Sequence, residues 1–161
     1  MTRAHEQLYL ATLRQLVAVG IPFVGLGTFA LRLQCPALPR RLVADCDLQL
    51  PPDTEVLNRA AQLLDGGGWQ LTLWQQPLPL PLPAADLPGK YYFRAHQSGA
   101  VLDCAYENDF WSWPVFQAHC RWHQGLPLLP PTDLLHHKAL ANRPSDQAVL
   151  RWLRQWQPAL F

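Results

Sequence analysis

The segment Arg41-Leu-Val-Ala-Asp45-Cys-Asp47-Leu-Gln-Leu50 alternates between two kinds of side chain. One set is apolar (Leu42, Ala44, Cys46, Leu48 and Leu50), and the other set carries Asp45 and Asp47. Because successive side chains of a strand point to opposite faces, the pattern predicts a strand over residues 41–50 with both aspartates on one face. Two carboxylates so close repel each other when they are buried, so one must be protonated or a cation must lie beside them.

A third carboxylate lies in a similar segment. Asp103 is in the middle of Val101-Leu-Asp-Cys-Ala-Tyr106, an otherwise apolar run, and a lone buried carboxylate also needs a partner. If the three acids met on one face of a sheet, their oxygens would form a site suited to Mg²⁺, with room for two ions. For each aspartate alone the simpler interpretation is a solvated sheet face; the three together favour a site. The alternation also predicts that Cys46 and Cys104 point to the opposite face.

Helical and strand patterns alternate along the rest of the chain. Apolar periodicity and capping residues predict helices, with Asp53 as the N-cap of the third, over residues 4–19, 28–33, 53–65, 130–142 and 145–156. Further strands are predicted over residues 21–24, 69–74, 91–96, 100–106 and 126–129. The five prolines of residues 77–88 predict an extended surface loop, and residues 107–120 read as loop with a short helix.

This order predicts an α+β fold in one domain over residues 1–161. We expect an N-terminal helix in residues 1–20, a core sheet with helices in residues 21–129 and a pair of C-terminal helices in residues 130–161. A length of 161 residues suits one hydrophobic core rather than two.

Charge and cysteine content restrict the class of protein. Charged residues make up 16% of the chain, with two lysines, eleven arginines and a net charge of +1, which argues against a broad basic surface that coats nucleic acid. No apolar run is long enough to span a membrane, and Arg14 and Gln15 interrupt the N-terminal segment where a signal peptide would be apolar. Four cysteines without CxxC spacing suggest reduced thiols. We therefore expect a cytoplasmic protein without a membrane partner.

Gly25-Leu-Gly-Thr28 lies upstream of the two acidic segments, and the three motifs together resemble the nucleotidyltransferase superfamily with the DNA-polymerase-β-like fold. Members share a glycine turn at a helix start, a D-x-D strand and a third acidic strand. Small bacterial nucleotidyltransferases of the minimal and toxin types also carry a late helix and an R-x-x-D motif, which are similar to Pro131-Thr-Asp-Leu-Leu-His-His-Lys138 and Arg143-Pro-Ser-Asp146. The resemblance spans residues 20–155 and implies a mixed β-sheet flanked by helices.

The resemblance also implies an activity, which is metal-dependent transfer of a nucleoside monophosphate from ATP or another NTP to a hydroxyl group. It implies that the catalytic residues and metal ligands are Asp45, Asp47 and Asp103, holding two Mg²⁺ ions. Nucleotide binding would fall to Gly27, Thr28, Arg41 and Lys138, with Asp146 orienting Lys138 or capping the last helix. The acceptor is unknown and would be tRNA, a protein or a small molecule, and a helical partner protein is expected in such systems.

Four alternatives stay open on the sequence. Lys138 could equally be a solvated helix residue, and Arg41 could be positional rather than catalytic. A protein of this fold could bind a nucleotide or a partner without catalysis. Gly25-Leu-Gly-Thr-Phe-Ala30, with Asp45 twenty residues beyond Gly25, also satisfies the dinucleotide-binding signature of a Rossmann unit, although Cys35-Pro36 would end its helix after two turns.

Overall fold

Eight strands form one mixed sheet in the computed structural model, which describes residues 1–156. In chain order the strands are β1 (Val24–Leu26), β2 (Cys46–Gln49), β3 (Gln70–Leu73), β4 (Gln76–Pro77), β5 (Tyr92–Gln97), β6 (Ala100–Ala105), β7 (Arg121–His123) and β8 (Leu126–Leu128). Across the sheet their order is β4-β3-β5-β6-β2-β1-β8-β7. The helices of the described chain are α1 (Arg3–Ala18), α2 (Gly27–Gln34), α3 (Thr54–Gly66), α4 (Trp113–His119), α5 (Pro131–Ala141) and α6 (Pro144–Trp156).

The acidic strand β2 lies near the middle of this sheet. It pairs with β1 in antiparallel fashion and with β6 in parallel, and Asp47 is opposite Leu26 on one side and Asp103 on the other. A Rossmann unit would need β1 and β2 to be parallel strands joined by a crossover helix. The antiparallel pairing therefore shows that the dinucleotide-binding interpretation is wrong.

Helices cover the apolar side of the central strands. α1 packs against α3, β6 and β8, and its Tyr9, Leu13 and Leu16 are almost completely buried. Burial alternates along β6, and both Cys46 and Cys104 lie in the core, as the strand alternation predicts. The aspartates are left on the more accessible side of the same strands.

Most of the predicted elements are confirmed, with small shifts of their ends. Asp53 caps α3 as predicted, because its Oδ1 accepts a hydrogen bond from the backbone N–H of Val56 at 3.0 Å. The hairpin of β5 and β6 turns at Ser98-Gly99, and α5 and α6 are the predicted C-terminal pair. Residues 157–161 of the predicted segment 130–161 lie outside the described residues.

Two strand predictions need correction. The predicted strand over residues 41–50 is much shorter, since Arg40–Leu42 forms a 3-10 turn and β2 begins only at Cys46. Its partner β1 ends at Leu26, opposite Asp47, so no neighbouring backbone of β1 is available to pair with the residues before β2. The strand predicted over residues 21–24 begins instead at Val24, because the N–H of Ile21 bonds back to Leu16 and closes the end of α1.

The proline-rich segment over residues 77–88 also differs from the extended surface loop that the sequence predicts. It begins as the edge strand β4, where Pro77 faces no further strand and needs no N–H, and it buries Leu78, Leu82 and Leu87 rather than running over the surface. Residues 113–119 form the short helix α4, and the edge strand β7 follows it without having been predicted. Within residues 1–156, no helix has both the length and the apolar character needed to cross a bilayer.

Candidate functional site

The three predicted carboxylates converge at the centre of the sheet. Asp47 and Asp103 are register partners on the parallel strands β2 and β6, and Asp45 lies directly before β2. One carboxylate oxygen of each residue lies within 4.8 Å of the others. Parallel pairing places partners on the same face of a sheet, which is why two residues 56 positions apart in the chain meet here.

The electrostatics of this cluster favour a bound cation. Burial, followed by the charge of Asp103, raises the pKa of Asp45. Burial, together with the charges of Asp45 and Asp103, raises the pKa of Asp47 to about 7, although Lys138 and Arg143 act in the opposite direction. Ionising all three groups at neutral pH is therefore costly without a further positive charge.

An arginine already occupies one side of the cluster. Arg94 of β5 is the cross-strand partner of Asp103 and forms a two-pronged ion pair with it, with Nε 2.6 Å from Oδ1 and the terminal nitrogen 2.7 Å from Oδ2. This hydrogen bonding raises the pKa of Arg94. The sequence interpretation missed Arg94, although the turn at Ser98-Gly99 fixes the register that pairs the two residues.

Gly27 lies against the acid cluster at the turn from β1 into α2. Its φ is +71°, and a Cβ placed there would lie 1.8 Å from Oδ2 of Asp47, so a side chain cannot fit without moving that carboxylate. Thr28, the next residue of α2, is buried, and the described lining of the cleft does not include it. Of the two predicted phosphate-binding residues in this turn, the structure thus places Gly27 beside the acids.

Lys138 enters the cleft from α5. It is only 3% exposed, and its Nζ lies 2.6 Å from Oδ1 of Asp146, so the interpretation as a solvated helix residue is wrong. Arg143 binds the other oxygen of Asp146, with its Nε at 2.8 Å. Although burial raises the pKa of Asp146, the hydrogen bonds from Arg143 and Lys138 bring it below its usual value. Asp146 therefore orients Lys138, one of the two roles expected of it.

The acids, Gly27 and Lys138 line one cleft of about 480 Å³, which also includes Arg94 and Arg143. Arg41 is placed differently: it is an exposed residue of the 3-10 turn, and the described lining of the cleft does not contain it. Arg143, the arginine of the R-x-x-D motif, also lines the cleft, a position that the sequence did not predict. Its position in the cleft depends on how α5 and α6 pack, which the motif alone does not define.

Two solved structures are similar in fold to this chain. No protein-family model and no curated protein sequence matches it. A solved structure from Thermotoga maritima matches with a TM-score of 0.60 and 15% identity over 96% of each chain. A structure from H. pylori matches with a TM-score of 0.59 and 16% identity over all of this chain and 72% of the other. Both are described as a "putative nucleotidyltransferase". At such low identity the likeness shows the fold alone, and the chain has a nucleotidyltransferase-like α+β fold.

Proposed function

We propose that this protein is a metal-dependent nucleotidyltransferase that moves a nucleoside monophosphate from an NTP to a hydroxyl group. The observation that carries the proposal is the convergence of Asp45, Asp47 and Asp103 within 4.8 Å, in a fold shared with proteins described as nucleotidyltransferases.

The donor atoms of this cluster suit Mg²⁺. Carboxylate oxygens are the ligands that this ion prefers. Burial, together with the charges of Asp45 and Asp103, raises the pKa of Asp47, so a bound cation would stabilise its ionised form. Arg94 satisfies only part of the hydrogen-bonding capacity of Asp103, since each carboxylate oxygen has two lone pairs. The residues proposed to hold one or two Mg²⁺ ions are therefore Asp45, Asp47 and Asp103. When bound, such ions neutralise the phosphate oxygens and stabilise charge during transfer.

The remaining residues of the cleft suit a triphosphate. Gly27 lies in the turn that opens α2, whose N-terminal N–H groups favour anions such as phosphate. Lys138 of α5 and Arg143, which directly precedes α6, supply positive charge to the same cleft. Thr28 is proposed to contact phosphate only by its backbone, since its side chain is buried. Arg41 is proposed to assist at the rim at most, from its exposed position.

The proposed reaction exchanges one phosphorus–oxygen bond for another. The acceptor oxygen bonds to the α-phosphorus, the bond between that phosphorus and the β-phosphate oxygen breaks, pyrophosphate leaves, and the hydroxyl proton passes to solvent. The chain contributes binding and orientation, since positioning and charge stabilisation account for most of the acceleration in phosphoryl chemistry.

Calorimetric titration of each NTP, with Mg²⁺ and with EDTA, tests this proposal. We expect the wild-type protein to bind an NTP only when Mg²⁺ is present. Asp47→Asn should lose at least tenfold in that affinity, because it removes a charged ligand while keeping the size of the side chain.

Asp65→Asn provides the matched control, because Asp65 is an exposed carboxylate on α3 and its loss changes the net charge by the same amount. Equal binding by wild type and Asp47→Asn would refute the assignment of the metal ligands. Mg²⁺-dependent binding without transfer to any acceptor, in assays offering RNA, protein and small molecules, would favour the non-catalytic nucleotide-binding alternative.

A further inference from the structure

A second groove, of about 630 Å³, adjoins the acidic cleft on the side of β3 and β5. The two share Tyr91, Tyr92 and Arg94, so the groove opens directly toward the carboxylates. Its other lining residues include Trp74 and Lys90. None of these residues except Arg94 takes part in the proposed metal site, so the function proposed above leaves the groove unexplained.

Exposed aromatic rings and cations alternate in this groove. Trp74 is 62% exposed, and Tyr91 and Tyr92 are also among the exposed large hydrophobic residues. The Nζ of Lys90 lies 4.4 Å from the centroid of the Trp74 ring, and the guanidinium carbon of Arg94 lies 5.4 Å from that of Tyr92. Leaving large rings in water forgoes the free energy of burying them, which is the pattern expected where rings receive a ligand.

Two of these aromatic residues, Trp74 and Tyr91, have a left-handed backbone conformation, which costs free energy for residues other than glycine. The φ angles of Trp74 and Tyr91 are 48° and 65°. The Trp74 indole N–H donates to the carbonyl oxygen of Lys90 at 3.1 Å. The Tyr91 N–H donates to Glu107 at 3.2 Å, and the Tyr91 hydroxyl donates to Asp109 at 3.0 Å. These hydrogen bonds fix the rings in place before any ligand arrives.

Charge divides sharply between the two neighbouring spaces. The acidic cleft has five carboxylates in its lining, which are Asp45, Asp47, Asp103, Glu107 and Asp109, and they outnumber its three cations, Arg94, Lys138 and Arg143. No carboxylate among the described side chains lines the groove, which has the cations Lys90 and Arg94 instead. A polycationic acceptor would therefore be drawn to the cleft, whereas a ligand with both flat rings and negative charge suits the groove.

We propose that the groove binds the end of a single-stranded nucleic acid, whose terminal hydroxyl reaches the acidic cleft and accepts the nucleotide. The proposal rests on the proposed function. Unpaired bases stack on aromatic side chains, and phosphates pair with the cations between them. In the transfer, the terminal hydroxyl oxygen bonds to the α-phosphorus, pyrophosphate leaves, and the proton passes to solvent. The low net charge still argues against coating of long nucleic acid, but two cations suffice for a strand end.

Fluorescence anisotropy with a labelled single-stranded RNA of about ten nucleotides, in EDTA, tests the groove independently of the metal site. DNA of the same sequence and the RNA duplex serve as parallel probes. We expect the single strands to bind more tightly than the duplex. Trp74→Ala and Tyr92→Ala should each weaken binding about tenfold, the magnitude expected for the loss of one stacked base. Lys90→Gln should reduce the slope of log affinity against log salt by about 0.7.

Trp122→Ala is the matched control, because Trp122 is a 68% exposed tryptophan on β7, at the opposite edge of the sheet. It should bind the RNA like wild type. Equal weakening by Trp74→Ala and Trp122→Ala, or tighter binding of the duplex, would overturn the proposal. So would transfer of labelled nucleotide to proteins but never to nucleic acid.

The two proposals fail in different ways. Asp47→Asn should keep its affinity for the RNA in EDTA while losing transfer, because it changes the metal site and not the groove. Mg²⁺-dependent binding of an NTP with no binding of single strands would overturn the groove proposal and leave the proposed function standing. Binding of single strands without any metal-dependent NTP binding would remove the proposed function, and the acceptor role of the groove would fall with it.

Discussion

At the scale of single residues, Asp47 has the most constrained position in the cleft. It lies between β1 and β6, with the backbone of Gly27 against its carboxylate and two further carboxylates beside it. A side chain in that position has an electrostatic cost that the rest of the protein must offset, unless a cation does so.

This cost predicts how stability depends on pH. Because the pKa of Asp47 is raised to about 7 in the fold, the folded state binds more protons than the unfolded state between about pH 4 and 7. The contribution of Asp47 to the free energy of unfolding of the metal-free protein should therefore fall as the pH rises through that window. Asp47→Asn should flatten the fall and be more stable than wild type at pH 8, by about 4 kcal/mol.

Urea unfolding in EDTA between pH 4.5 and 8 measures this effect. The pKa of Asp146 is lowered, so this residue loses its stabilising contribution only below the pH range of the experiment. The protonation of Asp146 therefore does not affect the comparison. Asp65→Asn, the exposed control, should follow the wild-type profile. Parallel profiles for Asp47→Asn and wild type would show that Asp47 ionises without cost.

Gly27 gives a second prediction, with Gly20 as its control. Both have a φ near +70°, but a Cβ at Gly20 meets no atom within 4 Å, whereas at Gly27 it would meet Asp47. Gly20→Ala should cost about 1 kcal/mol in the free energy of unfolding, from its backbone conformation alone. Gly27→Ala should cost more and should also lose at least tenfold in Mg²⁺-dependent NTP affinity. Calorimetry measures the NTP affinity, and urea unfolding measures the free energy of unfolding. Equal destabilisation by Gly20→Ala and Gly27→Ala, with unchanged NTP affinity, would contradict the close approach of Gly27 to Asp47.

At the scale of elements, the buried ion pair of Lys138 and Asp146 joins α5 to α6 beside the cleft. Breaking such a pair by removing one partner leaves an unpaired buried charge, which typically costs about 3–5 kcal/mol. We expect Lys138→Met to lower the free energy of unfolding by about 3 kcal/mol. The double variant Lys138→Met/Asp146→Leu should recover part of that loss, because it leaves no unpaired buried charge. Arg143→Gln should cost about 1 kcal/mol, because the Arg143 side chain is 61% exposed.

A double-mutant cycle from thermal or urea unfolding measures the coupling between Lys138 and Asp146. A single variant Lys138→Met that unfolds like wild type would show that the pair does not stabilise the junction of α5 and α6.

The elements also show how far the sequence could be interpreted. Local signals were sufficient where the structure depends on neighbours in the chain, as at the Asp53 cap and the turn at Ser98-Gly99. They failed where an element needs a distant partner: β2 is short because β1 ends at Leu26, and β7 exists because it pairs with β8. For the candidate site, alternation was enough to place Asp45 and Asp47 on one face, whereas their meeting with Asp103 depends on the pairing of β2 with β6. Arg94, Arg143 and the aromatic groove needed cross-strand register and helix packing.

At the scale of the whole molecule, the parallel pair of β2 and β6 links the two halves of the sheet and carries two of the three acids. On one side the turn of β1 into α2 reaches this pair, and on the other β5 supplies Arg94. This arrangement predicts that ligand binding stabilises the entire fold rather than one segment.

Thermal unfolding with Mg²⁺ and an NTP together should show this coupling. At a ligand concentration one hundred times the Kd, binding contributes about 2.7 kcal/mol, which corresponds to a rise in Tm of roughly 5–10 °C for a chain of this size. Mg²⁺ alone or the NTP with EDTA should have a much smaller effect. A rise in Tm caused by the NTP in EDTA would mean that binding does not use the carboxylates.

The most direct test of the central claim is an anomalous difference map from crystals that contain Mn²⁺ and a non-hydrolysable NTP analogue, since Mn²⁺ replaces Mg²⁺ at oxygen sites. We predict Mn²⁺ peaks coordinated by Asp45, Asp47 and Asp103, with the triphosphate against the turn at Gly27. Peaks elsewhere on the protein, with the three carboxylates bound only to Arg94 and water, would contradict the account.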